Sequence, residues 1–203
     1  MKPTNKLMKR LSIYLFLILF TFQTPSQADD IRDFQIEGMS IGDSLLDFFS
    51  EEEINKKIFG DYPGSDKYKR FFSWDPESYE IYKGVQVNFK KNDKKYIIQS
   101  ITGEIKPINI ENCYERKKKI EKEFDLMFPN AQKNKGREKK KYDKSGKSFF
   151  EATEYFLISG DGIQINCSDW SDEMTKKEKL SDALTVALDS KIFIYFLKNE
   201  AYK

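Results

Sequence analysis

Histidine is missing from all 203 residues. Its absence excludes a Ser-His-Asp triad, a Cys-His nucleophile pair and any histidine-ligated zinc centre, because each needs an imidazole as base or ligand. Cysteine is almost missing too. Cys113 and Cys167 are the two present, too far apart for a C-x-x-C redox motif and too few for a thiolate metal site. The chain also lacks Ser-x-x-Lys, the penicillin-recognising hydrolase pattern, and both G-x-G-x-x-G and the G-x-x-x-x-G-K phosphate loop. Hydrolysis by two carboxylates is what elimination leaves, since 33 acidic residues permit some pair at a workable separation. Permission of that kind singles out no residue. The expectation is no catalytic residue, no cofactor and no metal site.

Long hydrophobic runs are scarce as well. LSIYLFLILFTF, residues 11–22, falls short of the about 20 apolar residues that a membrane-spanning helix requires, so no stable transmembrane anchor is expected. It follows MKPTNKLMKR, with four basic residues and no acid, and precedes QTPSQA, where Ser26 and Ala28 make a small-x-small pattern. Basic, apolar and small-residue regions in that order read as a secretory signal over residues 1–28, cleaved between Ala28 and Asp29. No cysteine follows the apolar run to carry a lipid, and the expected destination is periplasmic or secreted. The signal removes four of the 35 basic residues and none of the 33 acids, leaving 31 against 33 and a formal charge of −2. A balanced exported chain is not expected to bind nucleic acid. Residues 29–203 suit a single α+β domain, or two small lobes over 29–108 and 109–203.

Two helix-start signals overlap in MSIGDSLLDFFSEEEINKKIFG: Ser40 with Asp43, and Ser50 with Glu53, each at capping-box spacing. They predict a short helical pair ended by Gly60. A longer helix is expected from Asn109 to Phe128, with Cys113, Ile120, Phe124 and Met127 on one stripe and the charges of ERKKK and EKE in solvent. Val85, Val87 and Phe89 alternate with polar residues, and a turn at Asn92 and Asp93 returns the chain through Tyr96 to Ile105. SFFEATEYFLISGDGIQINCSDW repeats that arrangement around Gly160 and Gly162, and DALTVALDSKIFIYFLKN reads as two further strands meeting at Asp189 and Ser190. The expected architecture is α+β: an antiparallel sheet of about six to seven strands in two meanders, covered on one side by the helical pair and the long helix.

In GIQINCS, Ile163, Ile165 and Cys167 share one strand face, and Cys113 lies on the apolar stripe of the long helix. Two inward cysteines in an exported chain predict a disulfide that staples helix to sheet, in preference to a reactive thiol, which would need a nearby base or an exposed setting. Closing so long a loop stabilises by about 4 kcal/mol in the chain-entropy account. NCS at Asn166 matches a glycosylation acceptor, but a strand beside a disulfide is a poor one. Asp161, Asp169, Asp172 and Glu173 sit at two ends of a strand and not in one loop, which favours solvated turns over a calcium site.

Two stretches can carry recognition. KNKGREKKKYDKSGK, residues 133–147, holds eight basic residues against Glu138 and Asp143. Either it is a solvated connector, or Arg137, Lys139, Lys140, Lys141, Lys144 and Lys147 meet an anionic surface. In the aromatic stretch from Tyr62 to Tyr82, the rings of Trp74, Tyr79 and Tyr82 either pack under a long loop or form a sugar or peptide platform.

FQIEGMSIGDSLLDFFSEEEI, YIIQSITGEI, ENCYERKKKIEKEF and GDGIQINCSDW, in that order, resemble the successive blocks of an uncharacterised exported family of marine alphaproteobacteria. The resemblance covers nearly all of the chain beyond the signal and implies a fold and an address, with no assigned activity. GMSIGDSLLDFF is similar, in shape alone, to the helical entry of small domains of the outer-membrane assembly lipoprotein and β-lactamase-inhibitor-protein type, which bind proteins. The functional expectation is an exported, non-catalytic binding protein whose partner is an envelope protein or an anionic surface. The alternative is a carboxylate-based hydrolase of saccharide or cell-wall material.

Overall fold

The computed structural model describes residues 30–203, so the expected signal and its cleavage site at Ala28 and Asp29 lie outside the described residues. In chain order the elements are α1 (Glu51–Lys56), β1 (Tyr68–Trp74), β2 (Gly84–Lys90), β3 (Ile98–Ile105), α2 (Ile110–Met127), β4 (Gln132–Lys139), β5 (Phe149–Phe156), β6 (Gly162–Asp169), α3 (Asp172–Glu178), β7 (Ala183–Asp189) and α4 (Lys191–Asn199). All seven strands join one antiparallel sheet in the order β1-β2-β3-β7-β6-β5-β4. Each meander runs neighbour to neighbour, and β7 returns between them to pair with both β3 and β6.

Strand alternation divides the side chains between two faces. One face carries Phe71, Val87, Ile101, Leu188, Ile163 and Tyr155 in register, and belongs to the main core. α2 and the N-terminal segment cover it through Cys113, Phe124, Leu45 and Ile54, all buried. Asn109 caps α2 by accepting from the backbone N–H of Glu111 and Asn112. The disulfide between Cys113 and Cys167 ties α2 to β6, with their Cα atoms 6.0 Å apart.

Four local expectations give way. Ser50 and Glu53 form their capping box and start α1, but Ser40 and Asp43 do not start a helix. Asp43 accepts from the Ser40 backbone N–H at 2.8 Å inside a turn, and the partner of α1 is a single 3-10 turn, Leu45–Asp47, capped by Ser44. The segment KIFIYFLKN is α4, not a strand. Its near-continuous apolar run satisfies either period, and the decision falls to Ser190, whose hydroxyl accepts from the Phe193 N–H as an N-cap. Residues 132–139, expected within a connector, are strand β4, paired along their length with β5. They contain no apolar residue to signal a strand. Lys117 and Glu121, placed in solvent by the helical pattern, are buried between α2 and the sheet.

The second face bears α4 at one end. Phe193 and Phe196 pack on Tyr62 and Tyr68 in a small second cluster, and the Tyr62 hydroxyl donates to Asn88 Oδ1 at 2.8 Å. Away from α4, Thr185, Thr102 and Gln86 are partly exposed on this face.

A polar groove beneath the C-terminal helix

Register places Gln132, Phe156, Gly162 and Asp189 in one row across β4, β5, β6 and β7, and Asn134, Glu154 and Gln164 in the row beside it. All seven line a groove of about 670 Å³, whose other wall is Ile194, Leu197 and Lys198 of α4. Gly162 faces α4, and a Cβ there would fall 2.9 Å from Ile194 Cδ1, so a side chain at 162 would displace the tip of Ile194. Lys198 places its ammonium 4.9 Å from the centre of the Phe156 ring at the groove's edge.

Two carboxylates enter this groove with different surroundings. Glu154 Oε1 accepts from Gln164 Nε2 at 3.0 Å, and Gln164 Oε1 accepts in turn from Asn166 Nδ2 at 3.3 Å. The side chains thus form a hydrogen-bonded line along the open face. Burial pushes the Asp189 carboxyl up to about 6; a hydrogen bond with Ser100 opposes the shift and the charge of Glu154 adds to it. The groove therefore presents side-chain amides, the Glu154 carboxyl and an Asp189 carboxyl that burial holds protonated to about 6. Such a set suits hydroxyl groups, which both donate to carboxylates and accept from amide N–H groups. Among the described residues no cluster of three or more metal-ligating side chains occurs.

The residues singled out from sequence lie elsewhere. Arg137 stands 3.6 Å from Asp169 and over the Phe149 ring, facing α2. Lys140 lies over the rings of Trp170 and Phe150, where burial lowers its pKa. Lys139 is an exposed strand residue, and Lys141, Lys144 and Lys147 occupy the β4–β5 turn. That turn is organised around buried Asp143, which accepts from the Ser148 N–H and hydroxyl and from the Ser145 N–H, and is held well below the usual carboxylate range mainly by Ser148. Trp74 stacks beside Phe72 on the open face with Lys106 above both rings. Tyr82 lies over Gly103 on the covered face and Tyr79 packs against the main core, so the three rings do not share one surface. No motif marks Glu154, Gln164 or Asp189; the available signal is the polar parity of β6, which names a face and not a groove.

The chain was compared with protein-family models, with curated proteins and with solved structures, and none of the three comparisons returned a match.

Proposed function

We propose that this is an exported, non-catalytic binding protein of the cell envelope, and that its ligand sits in the groove beneath α4. The observation that carries the reading is the groove itself: amide and carboxylate side chains held in register on a sheet face that is open away from α4, opposite the face closed by α2 and the disulfide. No helix among the described residues is long and apolar enough to cross a membrane. The basic, apolar and small-residue regions before Asp29 support export. N-terminal sequencing of exported protein is expected to begin at Asp29, and a start upstream of residue 20 contradicts the export reading. For the ligand seat, a photo-crosslinking amino acid at Asn134 is compared in living cells with one at exposed Lys119 on α2. Capture at 134 and not at 119 supports the groove; equal capture at both rejects it.

The lysines of the β4–β5 turn are the surface this reading offers to an anionic component. Replacing Lys141, Lys144 and Lys147 with Gln is expected to weaken salt-sensitive binding to phosphatidylglycerol vesicles, at about 1 kcal/mol per lysine. Equal sedimentation of mutant and parent assigns the turn to the solvated surface.

One observation favours a second reading, a carboxylate-based hydrolase of saccharide or cell-wall material. Asp189 holds a proton to about 6 while Glu154 lines the same groove. Their strand positions put the Cα atoms roughly 12 Å apart, and an inverting acid and base pair holds its carboxyl groups about 6.5–9.5 Å apart. Assays with peptidoglycan and aryl glycosides decide between the two. Turnover abolished by either Glu154→Gln or Asp189→Asn establishes the hydrolase, and no turnover by the parent retains the binding protein.

A further inference from the structure

The two edges of the sheet are finished differently. Along β1, residues 57–59 close the edge: the Phe59 N–H donates to the Arg70 carbonyl and the Phe72 N–H to the Lys57 carbonyl. Along β4, no strand lies on the outer side among the described residues. The Lys140 N–H donates to the Ser148 carbonyl at 2.9 Å, which sets the alternation of the β4–β5 ladder. Residues 132, 134, 136 and 138 bond to β5, so Lys133, Lys135, Arg137 and Lys139 turn their backbone N–H and C=O groups outward. Those four residues also share one side-chain face, the face of α2.

We propose that the outer edge of β4 receives an extended segment of a partner protein as an eighth strand, with acidic residues at alternate positions on the α2 side. The backbone supplies a row of unmatched donors and acceptors, the requirement for strand addition. The side chains select the charge. Lys133 and Lys135 bond with Asp125 and Glu121 of α2, and Arg137 faces Asp169, yet the side chains of Lys135 and Arg137 remain 58% and 50% exposed. Lys118 and Lys139 have no carboxylate within ion-pair distance among the described residues. Between α2 and β4 runs a cleft of about 300 Å³, where Lys117, Lys118, Lys135 and Arg137 outnumber the lining carboxylates Glu121 and Glu151. Side chains of an added strand point into this cleft at every second position, where carboxylates complete the basic groups.

The same charges discriminate against a second copy of this chain. A two-fold through Gly136 brings Lys135 opposite Arg137 and Lys133 opposite Lys139 on one face, which like-charge repulsion disfavours. The groove draws on Gln132 and Asn134 of the same strand, whereas the outward groups of the edge belong to residues 133, 135, 137 and 139.

The probe is a synthetic octapeptide alternating threonine and glutamate, added to the purified chain while amide hydrogen exchange is followed residue by residue. Protection of the Lys133, Lys135, Arg137 and Lys139 amides is expected, with no protection from the matching threonine and lysine octapeptide. Replacing Lys135 and Arg137 together by Glu is expected to weaken binding at least about tenfold, a change of about 1.4 kcal/mol. Lys139→Pro removes one outward N–H without removing a bond to β5, and is expected to weaken binding with the core ladder unchanged in its protection. Acidic peptide bound without protection of the four amides, or bound equally as its lysine counterpart, overturns the proposal. So does protection of these amides without peptide in a chain that sediments as a dimer.

Discussion

Glu121 is the residue in which sequence pattern and environment differ most. Burial opposes its charge, but hydrogen bonds from Lys135, Thr153 and Lys117 overcome that cost and hold the carboxyl at about 2. Lys117, equally buried, reaches Glu121 at 3.1 Å and Glu151 at 3.2 Å. A depressed carboxyl stabilises the fold above its ordinary value of 4.5, and that stabilisation is lost as pH falls from 4.5 toward about 2. Glu121→Gln is expected to cost about 3 kcal/mol at pH 7, because Lys117 is left partly uncompensated, and distinctly less at pH 2.5. Urea unfolding at the two pH values measures it. Asp189 has the opposite sign. Its folded value of about 6 exceeds the ordinary 3.8, so stability declines as pH rises from 3.8 to about 6 and stays lower above. Asp189→Asn is expected to raise stability by about 1–2 kcal/mol at pH 8, after discounting for its partial exposure, and to leave it unchanged at pH 3. Denaturant midpoints at both pH values provide the check.

Among the elements, α4 builds the groove and β4 makes the edge, and neither was assigned correctly by local pattern. KIFIYFLKN has apolar residues in both strand and helix registers, so only the Ser190 cap and the aromatic seat of Tyr62 and Tyr68 choose the helix. Phe196 is fully buried in that seat. Phe196→Ala is expected to destabilise by about 3 kcal/mol and to loosen α4 from the sheet, read as unfolding free energy and as faster amide exchange across residues 191–199. β4 has no hydrophobic alternation because its inward positions are lysines and arginine, whose long stems reach α2 while their charges meet Glu121, Asp125 and Asp169. By contrast, α2, β2, β6 and β7 are legible, since their apolar residues recur at the period of the element they form.

At the scale of the whole molecule, one covalent bond joins the layers. Cys113–Cys167 closes a separation of 54 residues between α2 and β6, and both sulfurs are buried in the main core. Replacing both cysteines by serine is expected to cost about 2–4 kcal/mol, and the same loss should appear when the parent is unfolded under reducing conditions. Parity along β6 and the stripe of α2 were sufficient to pair these two residues from sequence, as was the sheet of two meanders beneath a long helix. Those features depend on residues close together in the chain, where alternation and capping act directly. Sequence order leaves undecided which way each polar position faces. The sheet order brings Glu154 of β5 and Asp189 of β7 into one groove across Gly162, and turns the lysines of β4 toward the acids of α2. Both outcomes come from contacts between distant segments, where burial and charge pairing override local propensity.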